Sequence, residues 1–97
     1  MATKLSDIEI QRGLSARPGW TRRGSALART FEFPDFPAAI AFVNRIADAA
    51  ESMDHHPDID IRYTKVTCTL STHSAGGITQ RDFKLAEAIE RAAKGQG

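Results

Sequence analysis

At Pro57 the spacing of apolar residues changes from that of a helix to that of a strand, and this switch constrains the fold more than any other feature. Upstream, in PDFPAAIAFVNRIADAAESMD, residues Phe36, Ile40, Val43, Ile46, Ala47, Ala50 and Met53 recur at helical intervals. Asp35 stands at the N-cap and Pro37 in the first turn, where a missing N–H does no harm. The ring of Pro57 disfavours the α region at His56, so the helix is expected to end there. Downstream, DIDIRY sets Ile59, Ile61 and Tyr63 against Asp58, Asp60 and Arg62. After Thr64-Lys65, VTCTLSTH sets Val66, Cys68 and Leu70 against Thr67, Thr69, Ser71 and His73, which reads as the second arm of a β-hairpin.

The flanks complete the pattern. SDIE at 6–9 has the form of a capping box, with Leu5 and Ile10 as its hydrophobic staple, and predicts a short helix over about 7–15 that stops before Pro18-Gly19. WTRR, Gly24-Ser25 and ALARTFEF read as a first hairpin with Leu27, Phe31 and Phe33 on one side. Arg29 shares that side, which implies either an edge or ligand cavity nearby or a snorkelling side chain. After the loop SAGGIT, Thr79 caps a last helix with Asp82 three residues on, and Phe83, Ala86, Ile89 and Ala93 form its buried stripe. The order helix-ββ-helix-ββ-helix gives an α+β fold: a four-stranded antiparallel sheet with helices packed on one face, as one domain over residues 1–97.

Composition narrows the function classes. Ninety-seven residues, 41% hydrophobic and 26% charged, describe a compact soluble chain. The lone Cys68 excludes an internal disulfide and suits a reducing, cytoplasmic setting. No apolar run approaches the roughly 20 residues of a membrane span, and MATKLSDIEI is not signal-like. The net charge of +1 creates no field to attract nucleic acid or an anionic membrane, so neither is an expected partner. Charge is uneven: Arg12, Arg17, Arg22, Arg23 and Arg29 fall in an acid-free stretch, a basic hairpin that could touch phosphate but reads more simply as solvated arginines.

The chemistry rests on the histidines of DHHPDI and STH. Hairpin geometry returns His73 to the turn carrying His55 and His56, so three imidazoles converge at one end of the sheet. Metal ligation is the weaker reading, because adjacent histidines in an extended turn point apart and the spacing matches no strong metal motif. Proton transfer is the better one. An imidazole titrates near pH ~6.5, and two around one pocket can act on opposite ends of a bond, as elimination of water requires. No nucleophile competes: Cys68 lies on the apolar side of its strand, and Ser71 and Ser74 show no Ser-His-Asp arrangement. Glu51 and Asp54 are unfavourably placed for the dipole at a helix C-terminus, which points to a role beside a histidine. Asp82 is first a capping acid, compatible with a place at the pocket rim, and Trp20 reads as core or interface before it reads as a stacking platform.

These residues form an ordered set. Glu51-x-x-Asp54-His55-His56-Pro57, Tyr63-x-Lys65-Val66, Ser71-Thr72-His73 and Gly77-Ile78-Thr79-x-x-Asp82-x-x-Leu85-Ala86 resemble the pterin-4a-carbinolamine dehydratases, closely over the C-terminal half and more loosely before it. The resemblance implies dehydration of 4a-hydroxytetrahydropterin to quinonoid dihydropterin with no metal or organic cofactor. It implies His55 and His73 as acid-base groups, His56 as a positioning group, Asp54, Ser71 and Thr72 beside the pterin, and Glu51 and Asp82 as supporting acids. A homodimer or homotetramer is implied, and so is a possible regulatory protein partner, since some family members serve as dimerisation partners of a transcription factor. Ile59 departs from the family's common Trp, which bears on one pocket wall or an oligomer contact.

Overall fold

The computed structural model describes residues 3–95. It runs α1 (Asp7–Ser15), β1 (Thr21–Arg23), β2 (Ala26–Glu32), α2 (Phe36–Met53), β3 (Asp58–Arg62), β4 (Lys65–Leu70), a 3-10 turn (His73–Ala75) and α3 (Gln80–Ala93). The four strands form one antiparallel sheet in the order β1-β2-β4-β3, so the second hairpin inserts β4 against β2 and leaves β1 and β3 as edges. The element order and the sheet are those expected from the sequence.

Register fixes the inner face. Leu27 lies opposite Leu70, Phe31 opposite Val66, and Ile59 opposite Cys68. Phe42 and Ile46 of α2, Phe83, Leu85 and Ile89 of α3, and Ile10 of α1 complete the core against these residues. Phe31 and Phe42 meet with ring centroids 4.9 Å apart, tilted by 53°, and Trp20 approaches Phe31 edge-on. Outside, Thr30 and Thr67 share a cross-strand hydrogen bond of 2.8 Å. The capping boxes at Ser6/Glu9 and Thr79/Asp82 both form, and Asp35 accepts from the Ala38 N–H at the start of α2.

Three details differ from the sequence reading. The buried stripe of α2 is Ala39, Phe42, Ile46 and Ala50; Phe36 and Ala47 are exposed, and Ile40 and Val43 half-buried. Both stripes are apolar, and the one carrying Phe42 wins because it can fill the space over Phe31 and Phe33. In α3, Ala92 is buried in place of Ala93, with Leu85 and Ala88 added. β4 ends at Leu70 rather than running to His73. As expected of an edge, β1 pairs only with Ala26–Ala28, and β2 has no strand neighbour on that side at Arg29. Arg29 sits on its inner face with the guanidinium over the Phe31 ring and paired to Glu90 of α3, which also accepts from Trp20 Nε1 at 2.9 Å. An ion pair accommodates the charge at this locally open edge, beside a cavity that Arg29 lines with Pro18 and Glu90.

Among the described residues no helix is long and apolar enough to cross a membrane. Burial pushes the Cys68 thiol from its ordinary value of 9.0 up to about 12. The folded chain therefore keeps this proton where the unfolded chain releases it, and this group erodes stability as pH rises from 9.0 towards 12. Below pH 9 the native thiol is expected to resist alkylation by iodoacetamide and to react fully once the chain is denatured, a contrast that intact-mass measurement reads directly.

Candidate active site

The site begins where α2 stops. Asp54 adopts the left-handed conformation, φ 49° and ψ 44°, and its N–H and that of His55 return to the carbonyls of the last helical turn. The helix thus ends at Met53, four residues before Pro57, whose place is in the lead-in to β3 rather than at the stop. Arg81, in the first turn of α3, donates from Nη2 to the Asp54 carbonyl at 2.7 Å. This turn sends consecutive imidazoles in different directions. His55 goes inward and is 8% exposed, whereas His56 remains in solvent with Nε2 2.8 Å from Glu51 Oε1.

The His55 ring ends on Asp82, Nε2 to Oδ1, at 2.6 Å. Asp82 is fully buried, and its Oδ2 accepts from the Thr79 N–H and from the Thr72 hydroxyl, both at 2.9 Å. Thr72 has spent its one proton on Asp82, so in the 2.8 Å contact between the two threonines Thr79 is the donor. Thr79 Oγ1 in turn accepts from the Arg81 N–H at 3.2 Å. Every proton in the chain is accounted for, and Oδ1 is left to receive from His55. A carboxylate oxygen only accepts, so the proton in this contact is the imidazole's. Neutral His55 therefore carries its proton on Nε2 and leaves the Nδ1 lone pair free.

The register brings the third imidazole to the same region. Asp58 pairs with Thr69, so the residues before β3 and those after β4 lie at one end of the sheet. His73 follows Thr72 directly and opens the 3-10 turn, exposed, and among the described residues its ring takes part in no hydrogen bond. Ser71 points elsewhere: its hydroxyl donates to the Ser25 carbonyl at 2.9 Å and ties the end of β4 to the first hairpin. The Asp54 side chain is exposed. Among the described residues no group of three or more His, Cys, Asp and Glu side chains is arranged to hold a metal ion. Thr79, read from sequence only as a cap, and Arg81, which the sequence did not single out, prove to be part of the construction.

Three comparisons with known proteins place the fold and the family. Residues 3–92 match the family model described as pterin 4 alpha carbinolamine dehydratase. The chain belongs to that family. A relative from Roseiflexus sp. (strain RS-1), carrying the name "Putative pterin-4-alpha-carbinolamine dehydratase", is 57% identical over 93% of this chain and 97% of its own length. One of the same name from Nostoc sp. (strain PCC 7120 / SAG 25.82 / UTEX 2576) is 55% identical over 94% and 98%. The crystal structure of a transcriptional coactivator/pterin dehydratase from Brucella melitensis superposes with a TM-score of 0.90 at 36% identity, covering 94% of this chain and 99% of that one. A pterin dehydratase-like protein identified as a RuBisCO assembly factor in the alpha-carboxysome shares the fold, with a TM-score of 0.69 at 24% identity over 84% of this chain and 95% of that one.

The hydrogen-bond chain makes a direct prediction. In Asp82→Asn the amide oxygen can still accept from Thr79 and Thr72, but the amide N–H₂ must face His55 and donate to it. The variant is expected to fold, at a loss within about 2 kcal/mol, and to move the His55 proton from Nε2 to Nδ1. Long-range ¹H–¹⁵N spectra of the histidine rings distinguish the two tautomers, and denaturant melts give the stability.

Proposed function

We propose that the protein dehydrates a 4a-hydroxytetrahydropterin to the quinonoid dihydropterin plus water by histidine acid-base chemistry, with no metal or organic cofactor. The observation that supports this most is the buried Asp82–His55 pair, which leaves a free imidazole nitrogen at the sheet end shared by His56 and His73. A carbinolamine carries a hydroxyl and a nitrogen on one carbon. Losing water requires removal of the N–H proton, collapse of that electron pair into a C=N bond, and protonation of the departing hydroxyl as the C–O bond breaks. In this reading His55 Nδ1 takes the proton and His73 delivers one. His56, steadied by Glu51, positions the ring of the substrate, which Asp54 borders; Ser71 and Thr72, whose hydroxyls are spent on Ser25 and Asp82, border it through their backbone. The family to which the chain belongs supplies the substrate class; the residues supply the proton inventory.

Two further elements belong to the same proposal. The chain acts as one cytoplasmic domain over residues 1–97, and it assembles as a homodimer or homotetramer. Assembly is supported by the surface along the edge strand β3, where Ile61 is 40% exposed, and by the solvent-facing stack of Phe36 on Tyr63. The same surface supports a second reading, in which the fold also serves a protein partner, as the name transcriptional coactivator says of the Brucella protein.

In a spectrophotometric assay, purified protein is expected to accelerate decay of 4a-hydroxytetrahydropterin, and His55→Ala or His73→Ala to lower kcat by roughly 10²-fold. Wild-type protein that leaves the spontaneous rate unchanged would overturn the enzymatic reading and favour the binding one. EDTA is expected to have no effect; activity lost to it and recovered with zinc would count against metal-free catalysis.

A further inference from the structure

We infer that Arg81 is a positioning residue of this site: from the first turn of α3 its guanidinium holds the left-handed turn at Asp54 that delivers His55 to Asp82. The inference rests on the dehydratase reading only where it predicts rates. It starts from an imbalance at the end of α2. The last carbonyls of a helix have no partner within it, and their partial negative charge favours a cation. The last turn of α2 contains no basic residue and instead carries Glu51, with Asp54 at the cap. The missing cation comes from another element. Arg81 Nη2 donates to the Asp54 carbonyl at 2.7 Å and reaches towards the Met53 carbonyl at 3.5 Å.

The turn needs such a restraint. Asp54 is not a glycine, and an L-residue at φ 49° is held there at a cost of order 1 kcal/mol by its surroundings. Its own N–H and that of His55 are bonded back into the helix, to Ala50 and Glu51, while Arg81 fixes the outward-facing carbonyl. Relaxing that peptide would rotate the chain just ahead of His55. Acid-base chemistry tolerates displacements of only about half an ångström, so the grip bears on rate as well as on stability.

Arg81 and Asp82 are consecutive, and they hold the histidine turn from two sides. Arg81 takes the backbone of Asp54 and Asp82 takes the ring of His55, while Thr79 joins both, accepting from the Arg81 N–H and donating its own N–H to Asp82. The first turn of α3 is therefore a two-residue clamp on the segment Asp54-His55. A guanidinium suits the task because its terminal Nη2 carries two N–H groups that can address two neighbouring carbonyls.

The test uses the full-length protein and reads both rate and ring geometry. Arg81→Gln is expected to lower kcat by about 10-fold or more while KM changes by less than about 2-fold, since the substrate-facing groups remain. The His55 Nε2–H signal is expected to shift and broaden as the contact to Asp82 loosens. Arg81→Lys, which keeps a charged donor, should recover most of kcat and the wild-type ring signal. In Arg81→Ala, millimolar guanidinium should restore part of the rate, and it should not do so in Asp82→Ala. Unchanged kcat and ring signals in Arg81→Gln at a temperature where it is folded would overturn the inference, even with a lowered Tm. Should the glutamine variant fail to fold, Arg81→Met carries the same measurements with the stem intact. Should wild-type protein show no dehydratase activity, the proposed function fails, and the His55 ring signal alone decides the inference.

Discussion

One buried carboxylate holds the structure and its candidate site together. Asp82 is wholly removed from solvent, and an ionised carboxylate in that position costs several kcal/mol unless each oxygen is satisfied. Three donors meet the requirement: the Thr79 N–H from the helix it caps, the Thr72 hydroxyl from the end of β4, and His55 Nε2 from the turn after α2. Its place in the first turn of α3 adds the favourable end of the helix dipole. Three segments far apart in sequence thus converge on one side chain. The contacts that make the fold self-consistent there are the contacts that select the His55 tautomer, so stability and proton placement are set by one interaction.

The framework was legible because each element announces itself locally. The boundaries of α1, the two capping boxes, the alternation of Val66, Cys68 and Leu70, and the two hairpins all follow from patterns a few residues long. The face that α2 buries was not legible in the same way. Its apolar residues fill two adjoining stripes, one with Phe36, Ile40 and Val43 and another with Ala39, Phe42 and Ile46, and helical periodicity favours neither. The choice is made by Phe31 and Phe33, which belong to a strand that precedes the helix and can be matched to it only in three dimensions. The stop of α2 is a similar case. Pro57 sets the latest place at which the helix can end, and a tertiary contact to Arg81 accompanies an earlier one at Asp54.

At the site, sequence reasoning could assemble the histidines but not their partners. That His55, His56 and His73 share one end of the sheet follows from hairpin register alone. The His55–Asp82 contact spans 27 residues, and no local rule connects them. One signal did exist for Thr72. The inward parity of Val66, Cys68 and Leu70 continues to it, and a hydroxyl directed at an apolar core must find an acceptor. Extending the alternation two residues further would have pointed to a buried polar group near the cap of α3. Nothing comparable marked Arg81, whose charge looks like any other on an exposed helix face until the carbonyls opposite it are known. The Ile59 departure from the family pattern lies on the inner face of β3 opposite Cys68, half-buried at the sheet edge and outside the hydrogen-bonded cluster.

The adjacent histidines show how far burial, rather than residue identity, separates their surroundings. Both present Nε2 to a carboxylate at similar distance, 2.6 Å for His55 on Asp82 and 2.8 Å for His56 on Glu51. The first pair is enclosed, so its geometry is enforced by Thr72, Thr79 and the packing around them, and its attraction is little screened by water. The second is open to solvent on both sides, where such a pair contributes at most about 1 kcal/mol and each side chain exchanges readily with water. An enclosed imidazole of fixed tautomer is suited to an exact proton transfer, and an exposed one to meeting and orienting a ligand as it arrives. A single left-handed residue, Asp54, separates these fates by turning one ring inward and leaving its neighbour out.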